Sequence, residues 1–184
     1  MKRKYIFLIL IFSALVISCK EETLPKPNAM LRLEYPDTTA VEFATPNYSF
    51  SYSSLAKIEN EKGAIKVAYP RINGSIFLSY KPVEDNLNQL LSDAQKLSYE
   101  HAAKADNIIE QPFVNDTDSV YGMFYDVKGD AASQSQFYVT DSTKHFLTGS
   151  LYFDVKPNYD SILPAAVYLQ EDIRKIMETL RWKE

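Results

Sequence analysis

The spacing of apolar residues changes twice along this chain, and that change limits the fold more than any single motif does. Between Leu31 and Val83 the apolar positions recur every second residue, the period of a half-buried strand. Tyr48-Ser49-Phe50-Ser51-Tyr52 puts three aromatic rings on one face. Ile65, Val67 and Tyr69 alternate with Ala64, Lys66 and Ala68, and Ile76, Leu78 and Tyr80 alternate with Phe77, Ser79 and Lys81. Asn60-Glu61-Lys62-Gly63 and Asn73-Gly74 read as loops, short enough to demand antiparallel neighbours. Pro36, Pro46, Pro70 and Pro82 fall at the ends of these runs, where a missing backbone donor does least harm.

From Glu84 the step lengthens to three and four. Leu87, Leu90, Leu91, Ala94, Leu97, His101, Ala105 and Ile108 predict an amphipathic helix of about 20 residues, from near Glu84 to near Ala105. Asp93, Lys96, Glu100 and Lys104 fall on its watery side. Alternation then returns in three runs. Ser119 to Val127 carries Tyr121, Met123, Tyr125 and Val127 on one face, and Gly129-Asp130 marks the turn into Gln134 to Thr140. Asp141-Ser142-Thr143 leads into Lys144 to Val155, where His145, Leu147, Gly149, Leu151 and Phe153 share a face. Pro157-Asn158-Tyr159-Asp160-Ser161 ends the sheet and caps a final helix striped by Ile162, Ala166, Leu169, Ile173, Ile176, Met177 and Leu180. Glu171 and Lys175 are spaced as an i,i+4 pair on its other side, and Trp182 is expected to fold back near the last turn. Strands, helix, strands, helix predict an α+β domain with a mainly antiparallel sheet of about six to seven strands and two amphipathic helices.

The N-terminus carries an address. Lys2-Arg3-Lys4 precedes thirteen mostly apolar residues, Tyr5 to Ile17, then Ser18 and the single cysteine, Cys19. A basic start, a short apolar run and a small residue before the cut describe a signal peptide. The run is too short to span a hydrocarbon core of roughly 30 Å. A cysteine placed directly after the small residue matches a bacterial lipobox, in which it is acylated and becomes the first mature residue. The expected organisation is therefore a signal peptide over 1–18, a lipidated N-terminus and extended tether over 19–31, and one domain over 32–184. Leu24-Pro25-Lys26-Pro27 keeps the tether extended. Loss of the three leading basic residues leaves 17 basic against 24 acidic side chains, a net charge of −7. Such a surface repels phosphates, so nucleic acid is excluded as a partner. With Cys19 acylated no thiol is left for a disulfide or a thiolate metal site.

Catalytic patterns are absent from the sequence. His101 and His145 belong to no metal-binding spacing, and both fall on apolar faces, where a buried, hydrogen-bonded histidine is the simpler reading. Gly149-Ser150-Leu151 lies within a strand and not at a nucleophile elbow. The five glycines are isolated, so no phosphate-cradling loop exists. Asp116, Asp118, Asp126 and Asp130 could meet at one end of the sheet, but the spacing of a calcium loop is missing and solvated turns account for them. Asp141-Ser142 reads as a turn bonded to its own backbone. No metal or cofactor is expected. Two further readings stay open: a binding module for a small molecule or glycan with a tyrosine-lined cleft, and a hydrolase built on Asp141, Ser142 and His145.

From Leu24 to the end the chain resembles the GldD family of gliding-motility lipoproteins of the Bacteroidota. The resemblance is carried by Leu24-Pro25-Lys26-Pro27, Arg32, Tyr48-Ser49-Phe50, Ala56-Lys57-Ile58, Tyr69-Pro70 and Leu78-Ser79-Tyr80-Lys81. Asn86-Leu87, Tyr99, His101 and Lys104-Ala105 continue it. Its most specific part is Gly129-Asp130-Ala131-Ala132-Ser133, Gln136-Phe137, Thr140-Asp141-Ser142 and His145-Phe146-Leu147, followed by Gly149, Leu151-Tyr152-Phe153, Pro157-Asn158 and Asp160-Ser161. The resemblance implies a membrane-anchored lipoprotein required for gliding, a non-catalytic accessory component of the gliding and type IX secretion machinery with other proteins of that machinery as partners. The order of elements is also similar to the α-β-α sandwich of PsbP/Mog1-like domains, although fold alone does not give function. Lys20, lacking the aspartate that retains lipoproteins in the inner membrane, points to the outer membrane; the alternative is the periplasmic side of the inner membrane. Lys20-Glu21-Glu22 resembles the lysine-plus-acid signal that sends some lipoproteins of these bacteria to the cell surface.

Overall fold

Alternating sequence becomes two sheets. A computed structural model describes residues 31–34, 39–61, 63–101, 104–155 and 158–183. Strands β1 (Ala40–Ala44), β2 (Tyr48–Ser53) and β10 (Arg181–Trp182) form a three-stranded sheet in the order β1-β2-β10. The larger sheet has seven strands: β3 (Lys57–Glu61), β4 (Ala64–Tyr69), β5 (Gly74–Pro82), β6 (Ala105–Asn115), β7 (Val120–Gly129), β8 (Ser135–Thr140) and β9 (His145–Phe153). Their order is β3-β4-β5-β9-β8-β7-β6, and every pairing is antiparallel. Helices α1 (Leu87–His101) and α2 (Tyr159–Thr179) complete the α+β domain.

Two expected loops shift. The β4–β5 reversal is a 3-10 turn, Pro70–Ile72, closed by Asn73 in the left-handed region at φ 49. Gly74 is already in β5, opposite Tyr69. Asn60 and Glu61 extend β3, and the turn that follows places Gly63 at φ 86, a conformation open to a residue without a Cβ.

The first helix is shorter than its periodicity predicts. Asn86 fixes its start: the Oδ1 accepts the Glu84 N–H at 2.9 Å, and its carbonyl accepts Leu90 N–H at 3.0 Å. At the other end the chain enters β6, so Ala105 and Ile108 lie on a strand and pack with Val127 and Ala131. β6 escapes sequence reading because Pro112 sits within it. The strand lies at the edge of the sheet and pairs with β7 alone, and an edge tolerates a residue with no N–H.

Helix α2 behaves as its stripe predicts. Asn158 caps it by accepting Ser161 N–H, and Ile162, Ala166, Leu169, Ile173, Ile176, Met177 and Leu180 are all buried. Leu169, Ile173, Ile176, Met177 and Leu180 share one core with Ile76, Leu78, Leu147 and Leu151 of the large sheet and with Tyr48 and Phe50 of β2. Tyr48 stacks 6.2 Å from Phe50, and the Arg174 guanidinium lies 4.4 Å above the Phe124 ring. Glu171 and Lys175 make no ion pair with each other. On the opposite face α1 contributes Leu90 and Ala94 against Phe146 and Tyr138. The layers are thus α1, the seven-stranded sheet, then α2 beside the small sheet. Between β7 and β8 the backbones run so close at Gly122 that a Cβ there would strike the Tyr138 carbonyl.

Candidate functional site

Most residues singled out from sequence are held in structural work. His145, at the start of β9, is buried at 8 % exposure. Its ring lies parallel to Trp182, 5.1 Å between centroids, and Nδ1 shares a 2.9 Å hydrogen bond with the Tyr80 hydroxyl. Trp182 comes from β10 and donates its indole N–H to the Ser119 carbonyl. Arg181 pairs with Asp118 at 2.8 Å, and Lys183 reaches the Thr45 carbonyl. This cluster fastens the small sheet to the large one. His145 is therefore a packed, bonded core histidine, while the side chain of His101 lies outside the described residues.

Asp141 is committed to its own turn. One carboxylate oxygen accepts the N–H groups of Thr143, Lys144 and His145 at 2.8–2.9 Å, and the other accepts the Thr143 hydroxyl. Burial pushes this carboxyl up, but those donors outweigh it and hold its pKa below the ordinary value. Ser142 turns the backbone at φ 68. Asp141 orients the backbone of His145 while Tyr80 occupies the ring nitrogen, so the three residues form no relay from acid to base to nucleophile. The other aspartates disperse. Asp118 meets Arg181, Asp126 meets Lys128 at 2.8 Å and Gln170 at 2.8 Å, and Asp130 accepts Tyr159 N–H at the start of α2. Among the described residues no three His, Cys, Asp or Glu side chains gather as a metal site.

The stretch from Gly129 to Gln136 is a buried connection. Gly129 adopts φ 102, Ala131 donates to its carbonyl, Gln134 donates to the Ala131 carbonyl and Ser133 donates to that of Ser135. Ala131, Ser133, Gln134, Ser135 and Gln136 are all buried. Ser133 and Gln134 are thus bonded to the backbone, whereas Ser135 Oγ and Gln136 Nε2 are buried with no hydrogen-bond partner among the described residues.

A cleft of about 510 Å³ opens beside the Pro70–Ile72 turn, lined by Leu33, Leu55, Tyr69, Ile72 and Tyr168, with Arg71 and Glu34 at its mouth. Burial and the Asp172 charge push the Tyr168 phenol up, against the pull of Arg71. Sequence reading singles out neither charge for this role, because Glu34, Arg71 and Tyr168 are far apart in the chain and share no spacing. The expectation of a tyrosine-lined cleft is the nearest signal. Cys19, Lys20, Glu21 and Glu22 lie outside the described residues.

With the geometry in place, the sequence matches the family described as gliding motility lipoprotein GldD over residues 20–182. The chain belongs to that family. No curated protein matches it. A GldD-family chain is a lipoprotein of gliding motility, and the matched range extends through Trp182 of β10. No helix among the described residues is long and apolar enough to cross a membrane.

Proposed function

We propose that this GldD-family protein is a non-catalytic accessory component of the gliding and type IX secretion machinery, anchored to the outer membrane through acylated Cys19. The family match over residues 20–182 carries this reading. The engagement of His145 with Trp182 and Tyr80, and of Asp141 with its turn, supports it over the hydrolase reading. Two or more acyl chains on one residue give stable anchoring where one is marginal. Its partners are other proteins of the machinery, and Lys20, Glu21 and Glu22 act in sorting between leaflets.

Deletion of the protein, with crosslinking and pull-down from native membranes, tests the role. Loss of gliding together with recovery of a specific machinery component supports it. Normal gliding and secretion with no recovered partner would end it. Cys19→Ala is expected to release the protein from membranes, and replacement of Lys20-Glu21-Glu22 by alanines to change protease accessibility on intact cells.

A further inference from the structure

The geometry points to the cleft at Arg71 as a binding site for a zwitterionic phospholipid, one whose head group carries both a phosphate and an ammonium. The walls that the described residues supply are apolar: Leu33, Leu55, Ile72 and the rings of Tyr69 and Tyr168. A volume of about 510 Å³ is within the usual range of ligand sites. The mouth is not apolar. Arg71 and Glu34 are both exposed there, and among the described residues neither makes a hydrogen bond or an ion pair. One cation and one anion at the rim of a greasy cleft, neither paired among the described residues, complement a ligand with an apolar body and both charges at its head. A guanidinium binds phosphate through two parallel N–H bonds, and a carboxylate accepts from an ammonium. A purely anionic head would satisfy Arg71 and be repelled by Glu34.

The chain outside the described domain supplies the second argument. Leu33 packs against the main core and also lines the cleft, so the wall of the cleft is the first segment of the domain after the tether. The dozen residues between Cys19 and Leu31 reach about 40 Å at full extension. On the reading that Cys19 is acylated, Leu33 at the wall of the cleft lies within about 50 Å of a bilayer surface. The inference rests on that reading of the anchor. It assigns the domain a second, non-covalent hold on the membrane.

The test uses the full lipidated protein in nanodiscs. The probe is phosphatidylethanolamine with a photoreactive group on one acyl chain, and phosphatidylglycerol with the same group is the comparator. Crosslinks read by mass spectrometry are expected on Leu33, Leu55 and Ile72, about tenfold more from the zwitterionic lipid than from the anionic one. Arg71→Glu is expected to lower this labelling about tenfold, and the exchange Arg71→Glu with Glu34→Arg to recover most of it. Both side chains are exposed, and circular dichroism checks that each variant folds. Ile72→Trp, which fills the cleft, is expected to abolish labelling. Excess glycerophosphoethanolamine, the head group without chains, is expected to leave it unchanged; full displacement would overturn the lipid in favour of a soluble ligand. Labelling confined to the tether, or equal from both lipids, would also overturn the proposal. Gliding of the deletion strain tests the accessory role separately, whatever these crosslinks show.

Discussion

The two faces of the seven-stranded sheet are written with the same alternation, yet only one is fully roofed. The face under α2 and β2 is dry: Val67, Ile76, Leu147 and Leu151 are wholly buried there beside Leu169, Ile173 and Ile176. The other face has α1 as its roof, a helix of 15 residues against the 21 of α2. It seals Phe146, which is buried, and packs on Tyr138, which is partly buried. Farther along, Lys66, Phe77 and Ser150 stand side by side on β4, β5 and β9, and only Ser150 of the three is buried. Lys66 there lies 3.2 Å from Glu59 and 5.9 Å from the Phe77 ring centre, and Phe77 meets Tyr152 edge-on. Alternation assigns a residue to a face; the length and placement of a helix decide whether that face leaves water.

Urea unfolding of single variants tests how unequal the faces are. Ile173→Ala, in the dry layer, is expected to cost toward the upper end of about 2–5 kcal/mol, and Leu90→Ala, under α1, about 2 kcal/mol. Equal losses would break the comparison. Gly122→Ala is expected to cost about 1–3 kcal/mol, because the obstacle to its Cβ is the Tyr138 backbone and not a movable side chain.

Smaller effects follow from titration. Burial, then the neighbouring Tyr80, pushes the Tyr48 phenol up to about 12. The fold therefore favours its neutral form. That contribution is fully present below the ordinary tyrosine value near 10 and is lost as pH rises from there toward about 12. Tyr48→Phe is expected to flatten alkaline unfolding in this window. Asp141 has the opposite sign, since its pKa is held down in the fold. Its contribution is present above the ordinary carboxylate range and lost as pH falls through the lowered value, and Asp141→Asn should shallow the acid limb. Smallest of all, Lys66→Ala on the open face is expected to change stability by under about 1 kcal/mol.

What was legible in the sequence divides along physical lines. The stripe of α2 and the alternation of β2, β4, β5 and β9 could be read because large apolar side chains recur there at the period of the element, although β9 buries residues on both of its faces. β6 could not, since the three- and four-residue spacing of α1 continues by coincidence through Ala105 and Ile108, and Pro112 then argues against a strand. Nor could the third strand of the small sheet, in which Trp182 meets Tyr48 and Arg181 meets Ser49 from opposite ends of the domain. The fate of His145 was readable from its apolar face, although its partners Tyr80 and Trp182 were not. The cleft was invisible for the same reason as the small sheet: its walls come from separate parts of the chain.

The clasp at β10 also sets an order of events. Ser51 donates to Thr179 across 128 positions of sequence, and β2 has its second neighbour only when Arg181 and Trp182 arrive. A chain delivered across a membrane N-terminus first must hold Tyr48, Phe50 and Tyr52 without that neighbour until nearly all of it has emerged. During that interval β2 has an open edge, the kind on which strands of separate chains pair wrongly. Chains cut short before Arg181 lack the residues that cover that edge of β2.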